Sequence, residues 1–118
     1  MSRSKPVGAR RLLHASRNSW FGLSDTFRSE AAFRQELVLM ALAGIAMWLL
    51  DLDPLACALL IATLGLVLVA ELLNTGIEAV VDRVGPEWHP LSRKAKDAGS
   101  AAVTVSLAVH AGVWLCVL

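Results

Sequence analysis

Five polar residues, three of them acidic, recur at helical spacing toward the end of a long apolar segment. They are Glu71, Asn74, Thr75, Glu78 and Asp82. Because a helix turns about 100° per residue, they share one face, and Glu71 lies about 10 Å along the axis from Glu78. An acid in the middle of a membrane costs roughly 3 kcal/mol, so intramembrane carboxylates mark candidate functional sites. This acidic stripe is therefore a candidate site.

Carboxylates combined with a lysine suit the chemistry of a magnesium nucleotide. Carboxylate oxygens bind the metal that bridges phosphates, a cation offsets phosphate charge, and a carboxylate accepts the proton of an attacking hydroxyl. Further charged residues precede the other two apolar segments: Glu30 and Arg34 before the first, and Lys94, Lys96 and Asp97 before the third. The sequence has neither a G-x-x-x-x-G-K-[ST] motif nor a glycine-rich nucleotide loop.

The acidic stripe could instead serve assembly or ion transport. The acids could form ion pairs between helices, for example Glu71 or Glu78 with Arg34, or they could line an ion path. Buried ion pairs add little net stability and do not themselves indicate a function. The mixture of acid, amide and lysine at one boundary is more than packing demands, but the residue types alone leave both roles open.

The composition predicts an all-α membrane protein. The chain has 118 residues, 56% of them hydrophobic, with a mean hydropathy of +0.59. A soluble core of this size could not hide so much apolar surface. The cysteines, Cys57 and Cys116, lie in apolar segments without metal-ligand spacing and are interpreted as packing residues.

The hydrophobic pattern predicts one membrane domain, 1–118, made of a surface helix and three spans. Residues 1–8 form a basic tail, and 9–28 form an amphipathic helix with Trp and Leu on one face and Arg on the other. Ser24, Asp25 or Ser29 marks a break after it. The spans are predicted at 31–50, 55–81 and 95–118, lengths that suit the hydrocarbon core.

The distribution of Lys and Arg predicts the orientation. Most of the eleven precede the first span or lie between the second and third, and neither the turn at 51–54 nor the C-terminus carries one. The N-terminus is therefore expected in the cytoplasm and the C-terminus in the periplasm of a bacterial inner membrane, with several passes through it. Trp48 and Trp114 lie near the outer boundary, where interfacial aromatic residues are common.

Three motifs resemble those of the prokaryotic diacylglycerol kinase family. They are Glu30-Ala-Ala-Phe-Arg-Gln-Glu36, Glu71-Leu-Leu-Asn-Thr-Gly-Ile-Glu-Ala-Val-Val-Asp-Arg83 and Ala95-Lys-Asp-Ala-Gly-Ser-Ala-Ala-Val103. The resemblance implies an integral membrane lipid kinase, a homotrimer with shared active sites, that uses ATP and Mg²⁺ to convert 1,2-diacylglycerol to phosphatidic acid. The lipid bilayer is its expected surroundings, and no nucleic acid is expected as a partner. The related alternative is an undecaprenol kinase, and the alternative from another class is a non-enzymatic membrane oligomer.

The resemblance also implies roles for individual residues. Glu71 would be the general base, Asn74 would position the reacting groups, and Glu78 would bind the metal together with Glu30. The implied ATP contacts are Arg11, Asn18, Glu30, Glu78, Glu87, Trp88, His89, Lys96 and Asp97. The implied lipid contacts are Arg11, Trp20, Phe33, Trp48, Glu71, Ser100 and Trp114. Two positions depart from the family pattern, since Asn18 replaces a frequent Tyr and Gly76 replaces a more usual Ala.

Overall fold

The protein is described by a computed structural model that covers residues 7–118, so residues 1–6 of the predicted basic tail lie outside it. Four helices make up the fold: α1 (Ala9–Ser29), α2 (Ala31–Leu49), α3 (Pro54–Val84) and α4 (Pro90–Val117). The described range contains no strand, and α2, α3 and α4 are each long and apolar enough to cross a membrane. The predicted all-α membrane architecture is therefore confirmed.

The break between α1 and α2 falls on Glu30. This residue has an extended backbone, with φ −113° and ψ 109°, between two helical neighbours. The break was expected at Ser24, Asp25 or Ser29, and that expectation was wrong. The Ser24 and Ser29 hydroxyls instead donate hydrogen bonds to carbonyl oxygens four residues earlier in α1, so neither caps the next helix.

A five-residue loop, 85–89, joins α3 to α4. Gly85 ends α3 with φ 155° and ψ 165°, a conformation essentially restricted to glycine. The His89 side chain then caps α4, because its Nδ1 accepts a 3.0 Å hydrogen bond from the Leu91 backbone N–H. Pro90 is the first helical residue, where its missing N–H carries no penalty, so α4 begins before the predicted span at 95.

α3 and α4 pack against each other along their length, and a chain of hydrogen bonds links them within the apolar region. The indole N–H of Trp114 donates to His110 Nε2 at 2.9 Å. His110 Nδ1 lies 2.7 Å from Thr63 Oγ1 on α3. Since Nε2 accepts a hydrogen bond, the neutral imidazole carries its proton on Nδ1. Nδ1–H therefore donates a hydrogen bond to the Thr63 hydroxyl. His110 of α4 thus bonds a neighbouring helix, α3.

We expect Thr63→Val to loosen this helix pair. The substitution keeps the side-chain shape but removes the acceptor of His110, which should lower the free energy of unfolding by about 1 kcal/mol, as for other hydrogen bonds between membrane helices. Equilibrium unfolding in mixed detergent micelles measures the change. Thr104→Val is the matched control, because the Thr104 hydroxyl is exposed and bonds only its own helix. Equal losses in the two variants would contradict an interhelical role.

Candidate functional site

The acidic stripe of α3 is placed partly inside the molecule. Glu71, Asn74, Thr75 and Glu78 are half-buried, whereas Asp82 near the end of α3 is exposed. The stripe therefore passes from the protein interior to the surface over about three turns of helix. Its inner and outer parts meet different partners.

Glu71 meets a second carboxyl group, that of Glu36 on α2. The two side chains lie against each other, and Oε2 of Glu36 is buried without a hydrogen-bond partner in residues 7–118. Two adjacent carboxylates repel each other unless they share a proton or a cation. Sequence reasoning did not select Glu36 as a site residue. The available signal was that Glu36 is the last charged residue before an uninterrupted apolar run.

Asn74 binds Glu78, one turn further along α3. The amide Nδ2 of Asn74 donates a 3.2 Å hydrogen bond to Oε1 of Glu78. This contact holds one oxygen of Glu78 in place. The charge of Glu78 also attracts the Lys96 ammonium, although the two groups do not form an ion pair within residues 7–118.

Lys96 and Asp97, at the start of α4, are each paired with a protein charge. The Lys96 ammonium donates to Oδ1 of Asp82 at 2.7 Å. Asp97 Oδ2 lies 3.8 Å from Nε of Arg93, one turn earlier in the same helix. All four side chains are largely exposed, so these pairs contribute little stability and can be exchanged for other partners.

Lys96 also lines a cavity of about 290 Å³ formed by the loop between α3 and α4. Glu87, Trp88 and His89 also line it, so four of the sequence-predicted ATP contacts lie around one space. Its remaining polar lining comes from Asp82, Ser92 and Arg93. Because His89 Nδ1 is occupied by the helix cap, Nε2 is the ring nitrogen left to bind another group.

A second cavity, of about 520 Å³, lies between α1 and the spans and is mostly apolar. Trp20 and Phe33, two predicted lipid contacts, line it together with Leu68 of α3. Leu68 precedes Glu71 by three residues, so this apolar wall continues to within one helical turn of the buried glutamate.

The remaining predicted site residues are not gathered at these cavities. Arg11 and Asn18 are exposed on α1, and Ser100 is exposed on α4. Trp48 is 81% exposed near the end of α2. Trp114 follows Lys96 by eighteen positions, about 27 Å along α4, and its indole binds His110.

Arg34 does not pair with the acidic stripe. Among residues 7–118 the ion pairs are Arg93–Asp97 and Lys96–Asp82, so the suggested pairing of Glu71 or Glu78 with Arg34 is absent. Arg34 instead donates from Nη1 to the carbonyl oxygens of Phe27 and Arg28, at 2.7 and 3.1 Å. It thereby satisfies carbonyls at the end of α1 that have no helical partner.

The oxygen ligands of the site suit magnesium in type. Within the described part of the chain, no three acidic, histidine or cysteine side chains are grouped as a complete metal site. Glu78 nevertheless offers a carboxylate that is oriented by Asn74 and not neutralised by an ion pair among residues 7–118. Glu30 is half-buried at the junction of α1 and α2 and offers a second carboxylate. Hard oxygen donors with few protein ligands are typical of Mg²⁺ sites that also bind phosphate.

We expect Arg34→Gln to destabilise the end of α1. Loss of the charged donor should cost about 1 kcal/mol, which corresponds to roughly fivefold faster hydrogen exchange of the amides at 26–30. Exchange measured by mass spectrometry in micelles tests this, with Arg10→Gln on the exposed part of α1 as control. Unchanged exchange at 26–30 would show that the cap does not hold this helix end.

Comparison with known proteins gives a consistent result over nearly the whole chain. A sequence model of the family described as prokaryotic diacylglycerol kinase matches residues 17–118. The diacylglycerol kinases of Escherichia coli K12 and Pseudomonas aeruginosa PAO1 are each 47% identical over 112 residues, covering 95% of this chain and 91% of the relative. The diacylglycerol kinase of Haemophilus influenzae is 38% identical over 110 residues, covering 93% of each chain.

Proposed function

The chain belongs to the prokaryotic diacylglycerol kinase family and is a kinase, and from this membership we propose that it phosphorylates 1,2-diacylglycerol with ATP. The products are phosphatidic acid and ADP. One observation carries the proposal: along α3, the apolar cavity at Leu68, the half-buried Glu71 and the Glu78 carboxylate near Lys96 follow one another in that order. This is the order in which a lipid tail, its hydroxyl group and a nucleotide phosphate must be arranged.

Glu71 is the proposed general base. Its carboxylate accepts the proton of the lipid hydroxyl while the hydroxyl oxygen forms a bond to the terminal phosphorus of ATP. The bond between that phosphorus and the bridging oxygen breaks in line, and ADP carries this oxygen away. Because Glu71 lies about 10 Å deeper than Glu78, it can reach a hydroxyl held at the membrane boundary.

The start of α4 is the proposed phosphate-binding region. The Lys96 ammonium turns from Asp82 to the phosphates, and its charge offsets theirs. Asp97 lies beside Lys96 in the sequence, and Glu87, Trp88 and His89 border the rest of the nucleotide around the loop cavity. Arg11 and Asn18 would approach the nucleotide from α1.

Glu30 and Glu78 are the residues proposed to hold Mg²⁺. An ion bound there would neutralise part of the negative charge of the phosphates. The contribution of Asn74 is to keep one oxygen of Glu78 in place through the 3.2 Å hydrogen bond. A carboxylate whose orientation is fixed in advance loses less conformational entropy when it binds a ligand.

The lipid is proposed to enter between α1 and the spans. Trp20 and Phe33 would bind its apolar part in the 520 Å³ cavity. Ser100 and Arg11 would lie near its head, whereas Trp48 and Trp114 are far enough from the phosphate region to touch only acyl tails. This division follows from the roughly 30 Å thickness of the hydrocarbon core.

We propose an inner-membrane location, with the N-terminus and the loop at 85–89 in the cytoplasm and the C-terminus in the periplasm. The excess of Lys and Arg before the first span and on either side of this loop supports this orientation. We also propose a homotrimer in which subunits share active sites. The basis of the trimer is the resemblance to the family, and apolar side chains left uncovered on the spans, such as Leu115 (81% exposed) and Val80 (66%), can meet either lipid or a neighbouring subunit.

Replacement of Glu71 by Gln should abolish lipid phosphorylation. The amide keeps the size of the side chain but does not accept a proton, so turnover should fall at least roughly 100-fold. The assay uses purified protein in mixed micelles with Mg-ATP and either diacylglycerol or undecaprenol, and follows labelled phosphate into lipid. Asp53→Asn, at the opposite end of α3, is the control and should retain full activity.

The same assay separates the alternatives. If wild-type protein labels neither lipid, the kinase proposal fails, and preferential labelling of undecaprenol would make the substrate choice wrong. Loss of the oligomer in Glu71→Gln, in place of loss of turnover alone, would indicate that the acid serves assembly.

Replacement of Asp82 by Asn should lower the KM for Mg-ATP. The phosphates would no longer compete with Asp82 for the Lys96 ammonium, and the weak attraction within an exposed ion pair predicts a roughly two- to fivefold decrease. The effect should shrink at high salt, where exposed charges are screened. Asp82→Glu retains the charge and serves as control. A higher KM in Asp82→Asn would show that Asp82 holds Lys96 in its productive position.

A further inference from the structure

Gly99 is the point at which the backbone of α4 comes closest to the acidic stripe. It is buried, and a β-carbon built on it would overlap Oδ1 of Asn74. This β-carbon would lie 3.3 Å from Cγ of Asn74 and 3.4 Å from Cδ1 of Ile77. By contrast, a β-carbon on Gly76 or Gly112 would meet nothing within 4 Å. Of these three helical glycines, Gly99 is the one at which a β-carbon has no room.

The Asn74 amide is held between this backbone and Glu78. Its Oδ1 is buried against α4 and accepts no conventional hydrogen bond within residues 7–118. Its Nδ2 points the other way and donates to Glu78. The amide must face Glu78 with its NH₂ group and not with its oxygen, because a carboxylate accepts a hydrogen bond and cannot donate one. Glycine Cα–H groups also make weak contacts with carbonyl oxygens where helices approach closely.

A side chain at position 99 would therefore act on Glu78 through Asn74. Even a methyl group must either rotate the amide of Asn74 away or push α4 from α3, because the methyl carbon and Oδ1 of Asn74 cannot occupy the same space. Rotation of the amide breaks the hydrogen bond to Glu78 and frees that carboxylate. We propose that Gly99 is a positioning residue, which makes room for Asn74 to orient Glu78. The proposal rests on the kinase function and on the metal-binding role given above to Glu78.

Gly99→Ala should reduce kcat roughly tenfold or more, the size expected when a reacting group is misplaced by about 1 Å. The Mg²⁺ concentration for half-maximal activity should rise, whereas the KM for diacylglycerol should not change, because Gly99 does not line the apolar cavity. The matched controls are Gly112→Ala, on the same helix, and Gly76→Ala, beside Asn74. Both should stay within about twofold of wild type, since alanine is a better helix former than glycine.

A double-mutant cycle tests whether Asn74 transmits the effect. In an Asn74→Ala background the colliding amide is gone, so Gly99→Ala should have little further effect on kcat or on the Mg²⁺ requirement. An equal loss in both backgrounds would overturn the proposal and assign Gly99 to general helix packing. If Gly99→Ala alone does not fold, the double variant should fold as well as Asn74→Ala, and its failure would also overturn the proposal.

A measurement without turnover keeps this proposal separate from the kinase function. The side-chain amide resonance of Asn74, identified by its absence in Asn74→Ala, should shift in Gly99→Ala and stay in place in Gly112→Ala. An unshifted resonance contradicts the proposal even if the kinase is active. Wild-type protein that phosphorylates no lipid would overturn the kinase function, whatever the resonance shows.

Discussion

The contact between α3 and α4 is the feature on which the rest of the structure depends, because a polar side chain in an apolar helix needs a partner on its neighbour. Two interhelical pairs meet this need, and between them a polar side chain of α3 packs against the backbone of α4. Thr63 binds His110, Asn74 packs on Gly99, and Asp82 binds Lys96. Asn74 lies about 16 Å from Thr63 along α3, and Asp82 lies about 12 Å further. The helix pair is thus joined by polar contacts over most of its length.

The chemical type of these contacts changes along the helix pair. The contact at Thr63 is a pair of neutral hydrogen bonds, and the contact at Asp82 is an ion pair between exposed side chains. Glu71 and Glu78 lie between these two contacts along α3, and both are half-buried. Such positions allow a carboxylate to exchange a proton or a ligand.

The sequence predicted the elements of this arrangement better than their contacts. Periodicity placed Glu71, Asn74 and Glu78 on one face, and apolar runs located the spans, because both depend on local repeats. These local patterns did not show which neighbouring helix each helix face meets, so the position of Glu36 beside Glu71 was missed. Arg34 was grouped with the acids because it lies close to Glu30 in the sequence. Its side chain instead donates a hydrogen bond to the Phe27 carbonyl oxygen at the end of α1. The exact break at Glu30 likewise depends on this tertiary cap and could not be read from Ser24 or Ser29.

The two halves of the proposed site are held in different ways. The acids of α3 and Lys96 lie on the extensively packed pair of α3 and α4. Glu30 lies instead at the junction of α1 and α2, and Phe33 and Glu36 lie on α2, which meets α3 over a short stretch. Because one residue separates α1 from α2, any rotation of the surface helix is transmitted to Glu30 and to the apolar cavity. The bonds from Arg34 to the end of α1 restrict that rotation. The apolar cavity lies where α1, α2 and α3 meet, and Arg34 ties α2 to the end of α1 beside it.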